Sequence, residues 1–164
     1  MLNNPRNEFE NYWGRFDEPV LNHQDKDFYR LSIVVLLYDY FKIYRVERDK
    51  NEFKLNVKEY AVSTTTAYRA DSLITNQTRL ITKSDWLNIS KAFEENCFWT
   101  MPVDIESDNG YLDGSGWVLE AVKQNNSCKM PKYHISYRTS PDSSAFVTIC
   151  EKFMKLDSLN VRRF

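Results

Sequence analysis

Apolar positions change their spacing several times along the chain, and each change predicts a different element. Phe9, Trp13 and Phe16 recur at helical spacing behind Asn4 and Pro5, a capping residue and a first-turn proline. That predicts a short N-terminal helix, which Gly14 weakens. Asp17 to Asp27 is polar and turn-like. From Phe28 to Val46 the chain is dense in Ile, Val, Leu, Tyr and Phe, and Ile33-Val34-Val35 is β-branched. This favours a strand that passes from fully buried to half-exposed, with a buried helix from Phe28 to Tyr40 as the competing reading. Asp49-Lys50-Asn51-Glu52 predicts a turn, after which Phe53, Leu55 and Val57 open an alternating strand to Val62. Ser63-Thr64-Thr65-Thr66 interrupts it, and Tyr68 to Ile81 supplies another strand.

The second half has cleaner boundaries. Thr82 and Asp85 form a capping-box pair, and Trp86, Ile89, Phe93 and Cys97 line one helical face up to the stop at Met101-Pro102. An acidic loop runs from Asp104 to Asp113. Trp117 to Lys123 and Lys132 to Thr139 read as two strands joined by a polar loop. A last helix follows, with Ser140 as its cap, Pro141 at its first position, and Phe146, Ile149, Cys150, Phe153 and Leu156 as its apolar stripe. The order is strands, helix, strand pair, helix. With short connections favouring antiparallel neighbours, it predicts a single α+β domain over residues 1–164. Its sheet has about five antiparallel strands with two main helices on one face, plus the short N-terminal helix.

Composition narrows the function classes. The formal net charge of −1, from 22 basic and 23 acidic residues, argues against nucleic acid, whose binders carry a basic stripe. No polybasic cluster addresses a membrane surface, and the apolar run from Leu31 to Phe41 contains Asp39 and is too short to span one. Cys97, Cys128 and Cys150 lie far apart and show no metal-ligand spacing. They read as reduced thiols, and a cytoplasmic protein is expected. Nothing implies a cofactor or a metal.

Candidate chemistry gathers on the two late strands. Alternation puts Val118, Glu120 and Val122 on one face of the first, and His134, Ser136 and Arg138 on one face of the second. If the strands pair as a hairpin, Glu120 falls beside His134 or Ser136 with Arg138 in reach. A carboxylate there could orient an imidazole and raise its pKa. The plainer alternative is a cross-strand ladder of ion pairs on a solvated face, worth under ~1 kcal/mol per pair. Asp113-Gly114-Ser115-Gly116 lacks the lysine and the following helix of a phosphate loop, so it reads as a turn. The stretch from Asp104 to Gly110 departs from a calcium loop, because its glycine comes one place late and Ser115 stands where a bidentate glutamate is needed.

Asp113-Gly114-Ser115, Trp117 and Glu120, then Tyr133-His134, Arg138 and Ser140-Pro141 before an apolar helix, carry a resemblance. The pattern resembles a widespread group of bacterial proteins of unknown function that read D-G-[AS]-x-W-x-x-E, then Y-H-x-x-x-R-x-S-P. Trp86 to Pro102, ending Phe98-Trp99-Thr100-Met101-Pro102, is similar to the segment that precedes it in that group. The resemblance covers roughly the second half of the chain. Tyr137, where a valine-like residue is expected, and the insertion around Cys128 depart from it. It implies a bacterial source and an α+β fold and carries no mechanism.

Three function classes follow. A non-enzymatic binding protein, such as an immunity or inhibitor protein masking a toxin or another protein, suits a small chain rich in Tyr and Trp. Self-association is the related expectation. A small enzyme or a small-molecule sensor would use the sheet face of Glu120, His134 and Arg138, and the candidate binding residues as a set are Asp113, Trp117, Glu120, His134 and Arg138.

Overall fold

Long alternating stretches build a sheet in which neighbours in sequence are mostly neighbours in space. The structure is a computed structural model and describes residues 13–14, 16–21, 24–35, 40–63, 69–105, 115–124, 132–141 and 144–158. The strands are β1 (Asp27–Val35), β2 (Tyr40–Asp49), β3 (Glu52–Ser63), β4 (Arg69–Leu80), β5 (Asp104–Ile105), β6 (Ser115–Lys123) and β7 (Lys132–Thr139). They form one sheet in the order β4-β3-β2-β1-β6-β7-β5. Six strands pair antiparallel, and the two-residue β5 lies parallel to β7 at one edge. With α1 (Lys83–Glu95) and α2 (Ala145–Ser158) the chain is an α+β fold, one long strand richer than expected.

The extra strand comes from the stretch 28–46, which is neither one strand nor a helix. Asp27–Val35 and Tyr40–Asp49 pair with each other as a hairpin, Asp27 opposite Arg48 and Val35 opposite Tyr40. No glycine or proline marks the connection, so apolar density hid the reversal. The turn at Lys50 and Asn51 is where the sequence puts it, and Lys50 takes a left-handed φ of 53° to close it.

Helix α1 keeps its capping box. The Asp85 amide donates to Thr82 Oγ1 and the Thr82 amide to Asp85 Oδ2, each at 3.1 Å. Its buried face is Trp86, Ile89, Ala92 and Phe93. Cys97 is exposed, and a 3-10 turn, Phe98–Thr100, puts Phe98 into the core in its place. Helix α2 buries the expected stripe but starts later than Ser140 suggests. The Ser144 hydroxyl accepts from the Val147 amide at 3.4 Å, whereas Ser140, at φ 43°, accepts the Ser115 amide at 3.0 Å and ties β6 to the end of β7.

Both helices pack on the face that carries Tyr29, Leu31, Ile33, Tyr44, Val46, Leu55, Leu119 and Ala121. The opposite face is covered as well. Trp13 and Phe16 sit on Phe41, Ile43 and Tyr60, and Leu21 joins Phe28 and Val122. Of the expected N-terminal helix, Trp13 and Gly14 are helical, and positions 1–12 lie outside the described residues. No helix among the described residues is long and apolar enough to cross a membrane.

Candidate functional site

Register decides the fate of the candidate cluster. Across β6 and β7, Glu120 stands opposite Ile135, while His134 stands opposite Ala121 and Arg138 opposite Trp117. Directly opposed residues share a face. His134, Ser136, Arg138 and Trp117 therefore lie on the helix-covered face, and Glu120 lies on the other. The expected acid–imidazole pair is not formed, because the strands align one residue away from that pairing. Asp113, His23, Cys128 and the acidic loop beyond Ile105 lie outside the described residues.

The row on β7 grips the chain that follows α1. His134 Nε2 lies 2.9 Å from the Met101 carbonyl, and the Ser136 hydroxyl donates to the Pro102 carbonyl at 2.9 Å. Arg138 donates to the same carbonyl from both terminal nitrogens at 3.2 Å. The Tyr137 amide donates to Val103 at 2.6 Å, which carries the clamp into β5. His134 also meets the Phe98 ring edge-on at 5.0 Å, and burial lowers its pKa from the ordinary 6.5. Its partner at Met101 acts against that shift, while Lys132 and Arg138 reinforce it. A neutral ring donating Nε2–H to a carbonyl holds a segment in place; it leaves no nitrogen paired with an acid. Trp117 is half-buried and donates its indole N–H to the Ser115 hydroxyl at 2.7 Å.

Glu120 belongs to a different cluster, one centred on Arg30. Arg30 is 0% exposed in the middle of β1 and holds Glu120 Oε2 through Nε at 3.0 Å and through Nη2. Tyr133 donates to the other carboxylate oxygen at 2.9 Å. The Trp13 ring lies over the guanidinium, 3.8 Å from its centroid to Cζ. From the irregular segment before β1, Glu18 brings a second carboxylate. It lies 3.5 Å from Arg30 Nη1, 3.2 Å from Arg45 Nε and 3.1 Å from Lys58 Nζ.

The sheet also holds that segment by its backbone. Lys58 donates to the Phe16 and Asp17 carbonyls at 2.9 and 2.7 Å, Tyr60 to Phe16 at 2.8 Å, and Arg30 to Pro19 at 2.9 Å. Sequence reading missed this network. Its one signal is a lone arginine in the apolar run Phe28-Tyr29-Arg30-Leu31, a position where a charge must find a partner. Deep burial and mutual pairing make it a fastening between segment and sheet, with its charged atoms turned inward.

Elsewhere, a shallow cavity of about 280 Å³ lies between Arg79, Leu80, Ile81, Thr82, Asp85 and Leu156. Its polar groups are engaged: Asp85 caps α1, and Arg79 donates to the Leu156 carbonyl at the end of α2. Among the described residues no three His, Cys, Asp or Glu side chains come together to hold a metal ion.

One surface does face outward with open bonding groups. Strand β4 ends the sheet, and among the described residues no strand pairs with its outer edge. From Ser72 to Thr78 it carries no charged residue. Leu73, Ile74 and Leu80 are 50%, 58% and 70% exposed. The opposite edge, by contrast, is covered by β5 and the Met101–Val103 clamp.

Compared with protein-family models, curated proteins and solved structures, the chain matches none of them.

Proposed function

We propose that this chain is a non-enzymatic protein-binding module, one that pairs with or masks another protein as a cytoplasmic immunity or inhibitor protein does. The observation that carries the reading is the edge of β4: long, uncharged over its middle and bearing three exposed aliphatic side chains. An open edge is a template for a further strand, and soluble proteins usually blunt it with lysine, proline, a bulge or a covering element. Here the stretch from Thr75 to Leu80 has no lysine, proline or bulge, the register shifts of β4 lying before Thr75. Strand addition draws affinity from main-chain bonds and selectivity from alternate side chains. The alternative, a small enzyme or sensor working from Glu120, His134 and Arg138, has less support, since Glu120 lies on the face opposite to His134 and Arg138 and all three bond internally.

The test is capture by the immobilised full-length chain, with host lysate and a differently tagged copy of the chain itself offered as partners. A partner should be retained by the wild type and by His134→Ala, and lost with Leu80→Lys. Equal retention by Leu80→Lys, or a catalytic activity that His134→Ala abolishes in a folded protein, overturns the reading.

A further inference from the structure

We infer that the occupant of the β4 edge is β4 of a second copy, paired antiparallel about a two-fold axis through Gln77; this rests on the binding reading above and names its partner.

The direction of the backbone groups sets the register. The Ile81 amide donates inward to the Phe53 carbonyl at 2.9 Å. In an antiparallel pair the bonding direction alternates along the strand. Over the regular stretch 75–80 the odd positions therefore bond to β3, and Asn76, Thr78 and Leu80 present their N–H and C=O groups outward. Register shifts next to Tyr60 and Val62 confine irregularity to the part of β4 before Thr75. The unbulged part is thus the part an added strand can follow.

A two-fold at Gln77 sets Asn76 opposite Thr78 of the second copy, and the reverse. Each of these is a pair of outward-bonding residues that can exchange two main-chain bonds. Gln77 then faces its own counterpart as a non-bonded pair. The same axis carries Leu80 to the edge of the other copy's bulge, beside Ile74, and does so twice. These are two of the most exposed aliphatic side chains of the described residues, and bringing them together takes apolar surface out of water. Charge raises no objection. The one charged side chain within 74–80 is Arg79, which falls opposite Thr75 and is already turned to the Leu156 carbonyl. A partner chosen by charge would find nothing here to read, whereas a copy of the same strand meets itself without opposed like charges.

So short a contact falls below the roughly 1,000 Å² of a stable interface, so the dimer belongs to the weak, concentration-dependent class.

Gln77 supplies the test. Non-bonded antiparallel partners have Cα atoms about 4.5 Å apart, within the range a disulfide spans. In full-length protein with Cys97 and Cys128 replaced by serine, Gln77→Cys should form a covalent dimer under mild oxidation. Asn76→Cys, one step off the axis, should cross-link at least about tenfold less. Sedimentation should show the wild type dimerising with rising concentration and the Ile74→Lys/Leu80→Lys double variant remaining a monomer.

A dimer that survives the double variant, or one that Gln77→Cys fails to trap, lies on another surface and overturns the proposal. A wild type that is monomeric at every concentration overturns it too. If that monomer still retains a different protein that Leu80→Lys loses, the binding reading stands while the self-pairing falls. If it retains nothing, both fall.

Discussion

His134 shows how neighbours decide what a titratable side chain can do. Burial against Phe98, with Lys132 and Arg138 nearby, holds its pKa below 6.5 even though the Met101 carbonyl favours the proton. Between the folded value and 6.5, the unfolded chain therefore binds a proton that the folded chain does not. Stability from this residue is complete above about pH 6.5 and is lost as the pH falls towards the folded value. His134→Gln should remove that part of the slope. Urea midpoints at about pH 5.5 and about pH 7.5 should differ less for the variant than for the wild type; an unchanged difference would show that the imidazole does not titrate with folding. Tyr29 is a second case. Burial, only partly offset by its bond to Ser90, raises its phenol to about 12, so it is protonated at neutral pH.

At the scale of elements, legibility in the sequence tracked how local the determining contacts are. The Thr82–Asp85 box and the apolar stripe of α2 lie within a few residues of each other, and both are present in the structure. The β1–β2 reversal carries no glycine or proline, and the row on β7 bonds to Met101 and Pro102, more than thirty positions away. The start of α2 was misplaced for a related reason. Ser140 and Pro141 look like a cap and a first turn, but the Ser140 hydroxyl is committed to Ser115 across the sheet. Two serines thus have separable roles. Thr82→Ala should cost about 1 kcal/mol, as a lost N-cap usually does, and Ser144→Ala less, because its bond is long. Ser140→Ala should leave α2 helicity unchanged and loosen β6, which amide exchange at Ser115 against Val147 would separate.

For the molecule as a whole, the decisive feature is that the inner strands of the sheet are covered on both faces, one by helices and one by an irregular segment fastened with charge. A helix carries its own main-chain bonds, but in the segment from Phe16 to Pro19 the Phe16, Asp17 and Pro19 carbonyls are satisfied by Lys58, Tyr60 and Arg30. Glu18 then balances the cations that this arrangement buries. Removing one member of a buried ionic group costs more than the group contributes, because the remaining charges stay buried without compensation. Glu18→Ala should therefore destabilise the protein by about 3–5 kcal/mol, a large share of the roughly 5–15 kcal/mol that a domain has in total. Adding Lys58→Met to Glu18→Ala removes one stranded cation and should recover part of the loss, so the double variant should be more stable than the single one. Urea unfolding of the single and double variants measures this directly. If Lys58→Met adds its own cost instead, the segment is held by the Lys58 bonds to its carbonyls more than by charge balance, and the carboxylate is the lesser part of the fastening.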